Sequence, residues 1–172
     1  MITKAEFIAK RKVSETLTDK EFADILDSAE FSELRPFLGE ELYTDIVNDP
    51  SLTTRGDYPK LLEGGSYQYG GDYYNFPGLK EITLDYCYAY YLLDGDAIET
   101  PTGTRQFDMD KFARLKDYDK SNKAERARKK AFYRWEITKD FLNRSSFTYW
   151  YGEGHKPNTG TKKINIQTVT LA

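Results

Sequence analysis

Apolar side chains recur at helical spacing in four stretches of this chain and at strand spacing in two others. Phe22, Ile25, Leu26 and Ala29 fall at i, i+3, i+4 and i+7, which predicts a helix from about Asp19 to Phe31. Thr18, followed three residues later by Glu21, marks its start: in this capping box, hydroxyl and carboxylate satisfy backbone N–H groups reciprocally. Thr3 with Glu6 repeats the pattern nearer the N-terminus. Pro36 suits the first turn of a further helix, where its missing N–H costs nothing. Phe37, Leu38, Leu42, Tyr43 and Ile46 give that helix an inward face as far as about Asn48. Asp49-Pro50 ends it, because a residue before proline disfavours the helical conformation. A short helical turn is expected from Pro59 to Glu63.

Two later helices carry most of the remaining apolar surface. From about Leu79 to Leu93, Leu79, Ile82, Tyr86, Tyr90 and Leu93 form one stripe, while Leu84, Tyr88 and Tyr91 form a second on the opposite side. A helix apolar on two sides lies between layers of its own fold or between its core and a neighbouring subunit. From about Lys120 to Arg144, Ala124, Ala127, Ala131, Trp135 and Leu142 fall in a narrow stripe with Phe132 and Phe141 at its margins. The alanines leave room for another helix to approach closely. Residues 94–119 show no sustained period and are expected to form a long loop, a length usually tied to function.

The strand-like stretches differ in kind. Tyr67 and Tyr69 precede Gly70-Gly71-Asp72, and Tyr73 to Phe76 follow, which predicts a small β-hairpin over about 66–76. Such a hairpin is marginal alone and needs packing from elsewhere. Ile164 to Leu171 alternates and is β-branched, so it reads as a strand at the end of a polar arm, residues 152–172. Its partner is either the chain's own hairpin or a sheet edge on another chain, unless the tail stays disordered. The expected fold is therefore mainly α: a small helical bundle over residues 1–151 with a short β-hairpin, a long loop and an extended C-terminal arm.

Composition narrows the chemistry. Nine of the fourteen tyrosines lie between Tyr58 and Tyr91. Tyrosine offers a large contact area with little entropy to lose and a polar tip, so this density points to contact surfaces. Charge is segregated along the chain. Residues 13–99 hold 19 acidic and 5 basic side chains, whereas residues 100–172 hold 8 acidic and 16 basic. Opposite faces on one subunit favour head-to-tail association, unless the two sets mix on folding. The single cysteine, Cys87, sits in an apolar helix and reads as a buried, inert thiol. Met1 to Lys12 has no apolar run of the signal-peptide kind, and no stretch approaches the roughly 18 apolar residues of a membrane span. A reducing cytoplasm or a particle assembled there, with no membrane association, is the expected setting.

Catalytic and cofactor signatures are weak. The one histidine, His155, lies in a glycine-flanked segment with no fixed partner in view. The Gly64-Gly65 and Gly70-Gly71 pairs lack the spacing and the lysine of a phosphate loop. Asp94, Asp96 and Glu99, or Asp108 and Asp110, do not follow the order of a calcium loop. No enzyme activity, metal or cofactor is expected. A basic run is more suggestive: seven of the residues from Lys120 to Arg134 are basic, including Lys123, Arg126 and Lys130, against Glu125 alone. These are candidate contacts to DNA or an acidic partner, although they are spread around the helix and no base-reading motif accompanies them.

Two longer stretches carry a resemblance. The segment from Ala29 to Tyr43, AEFSELRPFLGEELY, resembles the helix-turn-helix opening of head–tail connector (adaptor, or head-completion) proteins of tailed bacteriophages. It looks closest to versions from phages of Bacteroides-like hosts, including crAss-like ones. Leu61 to Tyr67, then Phe76-Pro77-Gly78-Leu79, Thr100-Pro101-Thr102-Gly103 and Phe141-Leu142-Asn143 are similar to the same group. The resemblance implies a structural virion protein at the head–tail junction, assembled in the host cytoplasm. It implies a ring of copies, typically a dodecamer, that sits beneath the portal protein, extends the DNA channel and docks adjacent connector or tail proteins. Duplex DNA would pass through without specific recognition, past a partly acidic bore. On this reading Tyr67, Tyr69, Tyr73, Tyr74, Tyr88 and Tyr91 pack subunits together, and Ile164, Ile166 and Val169 clamp a partner. The alternative, read from residues alone, is a small DNA-binding accessory protein using the helix 120–134.

Overall fold

A computed structural model describes residues 2–11, 13–48, 55–94, 97–100, 103–106, 117–147 and 149–152. It is mainly helical. The order is α1 (Lys4–Arg11), α2 (Asp19–Ala29), a π-helical turn (Glu30–Leu34), α3 (Arg35–Leu38), α4 (Glu40–Asn48), α5 (Tyr58–Glu63), β1 (Gly65–Tyr69), β2 (Asp72–Phe76), α6 (Gly78–Asp94), β3 (Ala97–Thr100), β4 (Gly103–Gln106) and α7 (Asp117–Arg144).

Both predicted capping boxes form. The Thr18 hydroxyl accepts from the Glu21 N–H at 3.2 Å, and the Glu21 carboxylate accepts from the Thr18 N–H at 2.7 Å. Thr3 and Glu6 make the same exchange at 3.2 and 2.8 Å. The first helical segment departs from expectation. Instead of stopping near Phe31 and restarting at Pro36, it continues through the π turn into α3, and the break falls at Gly39. Proline inside a helix normally clashes with the carbonyl four residues earlier. A wider turn just before Pro36 changes where those carbonyls sit, which explains how the helix survives the proline.

Helix α6 is the centre of the molecule. Leu79, Ile82, Leu84, Tyr86, Cys87 and Ala89 are all buried, and so are Thr83 and Asp85 between them. Helices α2 and α5 cover part of its length, α1 lies on another side, and α7 packs along it antiparallel. Ala124 and Ala127 meet Ala89, as the small side chains allow, while Arg134 reaches Glu81 at the other end. Phe37 stacks on Trp135 with ring centres 5.0 Å apart, joining α3 to α7. The two-sided apolar pattern of α6 is thus largely met by layers of the same chain.

The predicted hairpin is present, with Tyr67 opposite Tyr74 and Tyr69 opposite Asp72 across a Gly70-Gly71 turn. Both turn glycines have positive φ, 62° and 97°, the geometry that two-residue hairpin loops favour. Its base is held by a close approach of backbones. A Cβ on Gly78 would lie 2.2 Å from the Gly64 nitrogen, and one on Gly64 would lie 2.5 Å from the Pro77 carbonyl carbon. The expected loop over 94–119 is shorter than predicted. Helix α6 runs to Asp94, α7 starts at Asp117, and β3 and β4 pair antiparallel between them, with Thr100 opposite Gly103. The arm 153–172, with Ile164, Ile166, Val169 and His155, lies outside the described residues, as do Asp96, Asp108 and Asp110.

Candidate interaction surfaces

The hairpin is anchored through one face and open on the other. Tyr67, Tyr74 and Phe76 share the inner face, and Phe76 stacks on Phe141 of α7 with ring centres 4.1 Å apart. Tyr67 meets Phe141 edge-on at 5.1 Å and Tyr74 face-on at 5.4 Å. The Arg144 guanidinium lies over Tyr74 at 4.4 Å and over Tyr69 at 5.0 Å, and donates to the Tyr67 hydroxyl at 3.2 Å. Tyr73 points the opposite way, paired across the ribbon with Gln68, and is 76% exposed. Tyr69 near the turn is half exposed. Among the four hairpin tyrosines expected at an interface, the fold therefore employs Tyr67 and Tyr74 internally, keeps Tyr69 on the same face half exposed under Arg144, and leaves Tyr73 outward.

Tyr88 and Tyr91 have more company within the subunit than the sequence implied. Tyr91 meets Phe7 of α1 edge-on at 6.1 Å, and its hydroxyl accepts the Ser14 N–H at 3.3 Å. Tyr88 is half-buried against the Ala89, Ala124 and Ala127 cluster. The signal that α1 covers this side of α6 was modest: the single apolar pair Phe7-Ile8 behind the Thr3 cap.

The basic helix divides into spent and unspent charges. On its inner side Arg134 donates to Asp85 at 2.6 Å and to Glu81 at 3.0 Å, and Lys130 reaches Asp85 at 3.4 Å. Arg11 and Lys10 from α1 complete the cluster, at 3.0 Å from Asp85 and 2.9 Å from Glu81 respectively. Burial pushes the Glu81 carboxyl up, but hydrogen bonds from Lys10 and Arg11 and their charges prevail and hold it at about 2. Arg128 stacks over Tyr90 at 5.0 Å with Glu33 at 3.9 Å, and Lys129 pairs with Glu125. The segregation of sign along the sequence is thus partly cancelled in the fold, because α7 cations neutralise α6 carboxylates. Lys123 and Arg126 are exposed and make no ion pair among the described residues.

A second surface was not anticipated. An open groove of about 350 Å³ runs between the π turn and α7, floored by Phe37, Tyr86 and Phe132 and edged by Glu33, Arg128 and Tyr133. Beside it Phe132, Tyr133 and Ile137 are 46%, 69% and 47% exposed. The legible clue was an excess of aromatics: Phe132-Tyr133 beside Trp135 is more than one inward stripe of a helix can take. Cys87 is buried, and desolvation pushes its thiol up to about 12, so it offers no nucleophile to solvent. Among the described residues no helix is long and apolar enough to cross a membrane.

Residues 34–159 match the model of a family of unknown function, DUF6712. No curated protein and no solved structure matches the chain.

Proposed function

Taking as premise that the chain belongs to the DUF6712 family, we propose that it is a non-catalytic structural subunit of a phage head–tail connector. Copies stand in a ring beneath the portal protein, extend the DNA channel and dock connector or tail proteins. The observation that carries this reading is the hairpin. It is fixed to the end of α7 by Phe76, Phe141 and Arg144, yet turns Tyr73 to solvent and leaves Tyr69 half exposed. A rigidly based ribbon with an aromatic side chain outward and another half exposed is a contact device, since tyrosine anchors bury area at small entropic cost. The resemblance of Ala29–Tyr43 and of the segments around Gly64, Gly78 and Phe141 to connector proteins supports the same reading.

The alternative, a small DNA-binding protein, is favoured among the described residues of α7 by Lys123 and Arg126. Four of the other basic residues, Arg128, Lys129, Lys130 and Arg134, are engaged in ion pairs within the subunit. The test is to mix the purified chain with isolated portal rings and examine them by electron microscopy. An added annulus on the tail-facing end of the portal is expected. Bare portals at saturating chain, with stable complexes on naked duplex DNA instead, would favour the alternative.

A further inference from the structure

The outward face of α7 carries a pattern that is complementary to itself. Tyr133 lies at its centre, 69% exposed, with Ile137 beside it one turn on. Arg126 is seven residues before Tyr133 and Asp140 seven after, so both lie almost two turns away on the same face. Both are exposed, and neither makes an ion pair or hydrogen bond among the described residues.

We propose that two copies of the chain pair through this face, with their α7 helices antiparallel about a two-fold axis at Tyr133. In that arrangement each Tyr133 faces its own copy, and Arg126 of one chain stands level with the partner's Asp140. A parallel arrangement would instead put like charges level, Arg126 against Arg126 and Asp140 against Asp140, which is unfavourable. The charge order therefore selects both the occupant, a second copy, and its direction. The pairing covers Tyr133 and Ile137, the exposed apolar centre of an otherwise charged face. It is isologous and closes at two copies, so it goes beyond the ring contact, which is heterologous, and stands or falls separately from it.

Oxidative cross-linking of the full-length Tyr133→Cys chain is the test, with Lys123→Cys as control. Helices packed at about 8–10 Å bring Cα atoms on the axis within disulfide reach. Lys123, ten residues away, would lie about 30 Å from its copy, and native Cys87 is buried. Rapid dimer formation by Tyr133→Cys, and none above background by Lys123→Cys, is expected. In sedimentation of otherwise native chains, Arg126→Asp or Asp140→Arg alone should weaken the dimer about tenfold or more. The double exchange should return it to within about threefold of the native value, with each variant's thermal melt confirming that it folds. A native chain that stays monomeric at every concentration overturns the proposal. So does a larger oligomer in which Tyr133→Cys does not self-link, an outcome that would leave the ring reading intact.

Discussion

Two glycines and one carboxylate make the sharpest claims at the scale of single residues. Gly64 (φ 82°) and Gly78 (φ 76°) sit where backbone passes backbone, and an added Cβ on either would overlap main-chain atoms that cannot step aside. Gly78→Ala should therefore lower folding stability by about 2–4 kcal/mol, measured by denaturant unfolding, because strain and steric overlap add. Glu81 makes a pH statement. Its carboxyl titrates at about 2 in the fold against 4.5 when unperturbed. A depressed folded value means the stabilisation is complete above pH 4.5 and is lost as pH falls from there toward 2. Thermal melts across that window should fall more steeply for the native chain than for Glu81→Gln, whose amide does not titrate. Equal slopes would remove Glu81 from any role in acid sensitivity.

Elements separate what the sequence told from what it withheld. The hairpin gives a clean division of labour, since Tyr73 stands on the outer face and Tyr67 on the inner. Tyr73→Ser should leave the melting temperature within about 2 °C of native yet reduce assembly onto portal rings, scored by particle counts. Tyr67→Ala should do the reverse at first order, destabilising the fold through its lost contacts with Phe76, Phe141 and Arg144. Helix starts were legible because Thr18–Glu21 and Thr3–Glu6 are local devices, readable from four residues each. The limits of α6 and α7 were legible because their apolar periods are long. The π turn was not: Pro36 signals a helix start, and nothing in Glu30–Leu34 announces a wider turn through which the helix continues. Strands β3 and β4 were missed because four-residue strands around Pro101-Thr102 have too short a pattern to show a period. Sequence also identified α6 as two-sided without saying what covers it. Tyr91 finds Phe7 and Ser14 within the subunit, a long-range pairing that no local signal encodes.

For the whole molecule, the distribution of charge decides between readings. Sequence blocks of opposite sign partly cancel in three dimensions, at a seam where Lys10, Arg11, Lys130 and Arg134 surround Glu81 and Asp85. Among the described residues of α7, few cations remain for phosphate. If Lys123 and Arg126 are the only ones to engage duplex DNA, the log–log dependence of affinity on salt should be no steeper than about −2, read by electrophoretic mobility. Use of all seven basic residues would give about −6. A steep slope would move the weight to the DNA-binding reading. The exposed apolar side chains, Tyr73 on the hairpin and Phe132, Tyr133 and Ile137 on α7, sit on separate elements. One subunit then has distinct patches to offer distinct neighbours, as an assembly with more than one kind of contact requires.

The central claim is that this chain is built into a particle as a ring around a channel. The most direct measurement is electron microscopy of the native virion with the chain carrying a compact internal tag at the Gly70-Gly71 turn. The account predicts symmetric tag density encircling the DNA channel between portal and tail. Tag density elsewhere in the particle, or purified virions from which the chain is absent, would contradict it.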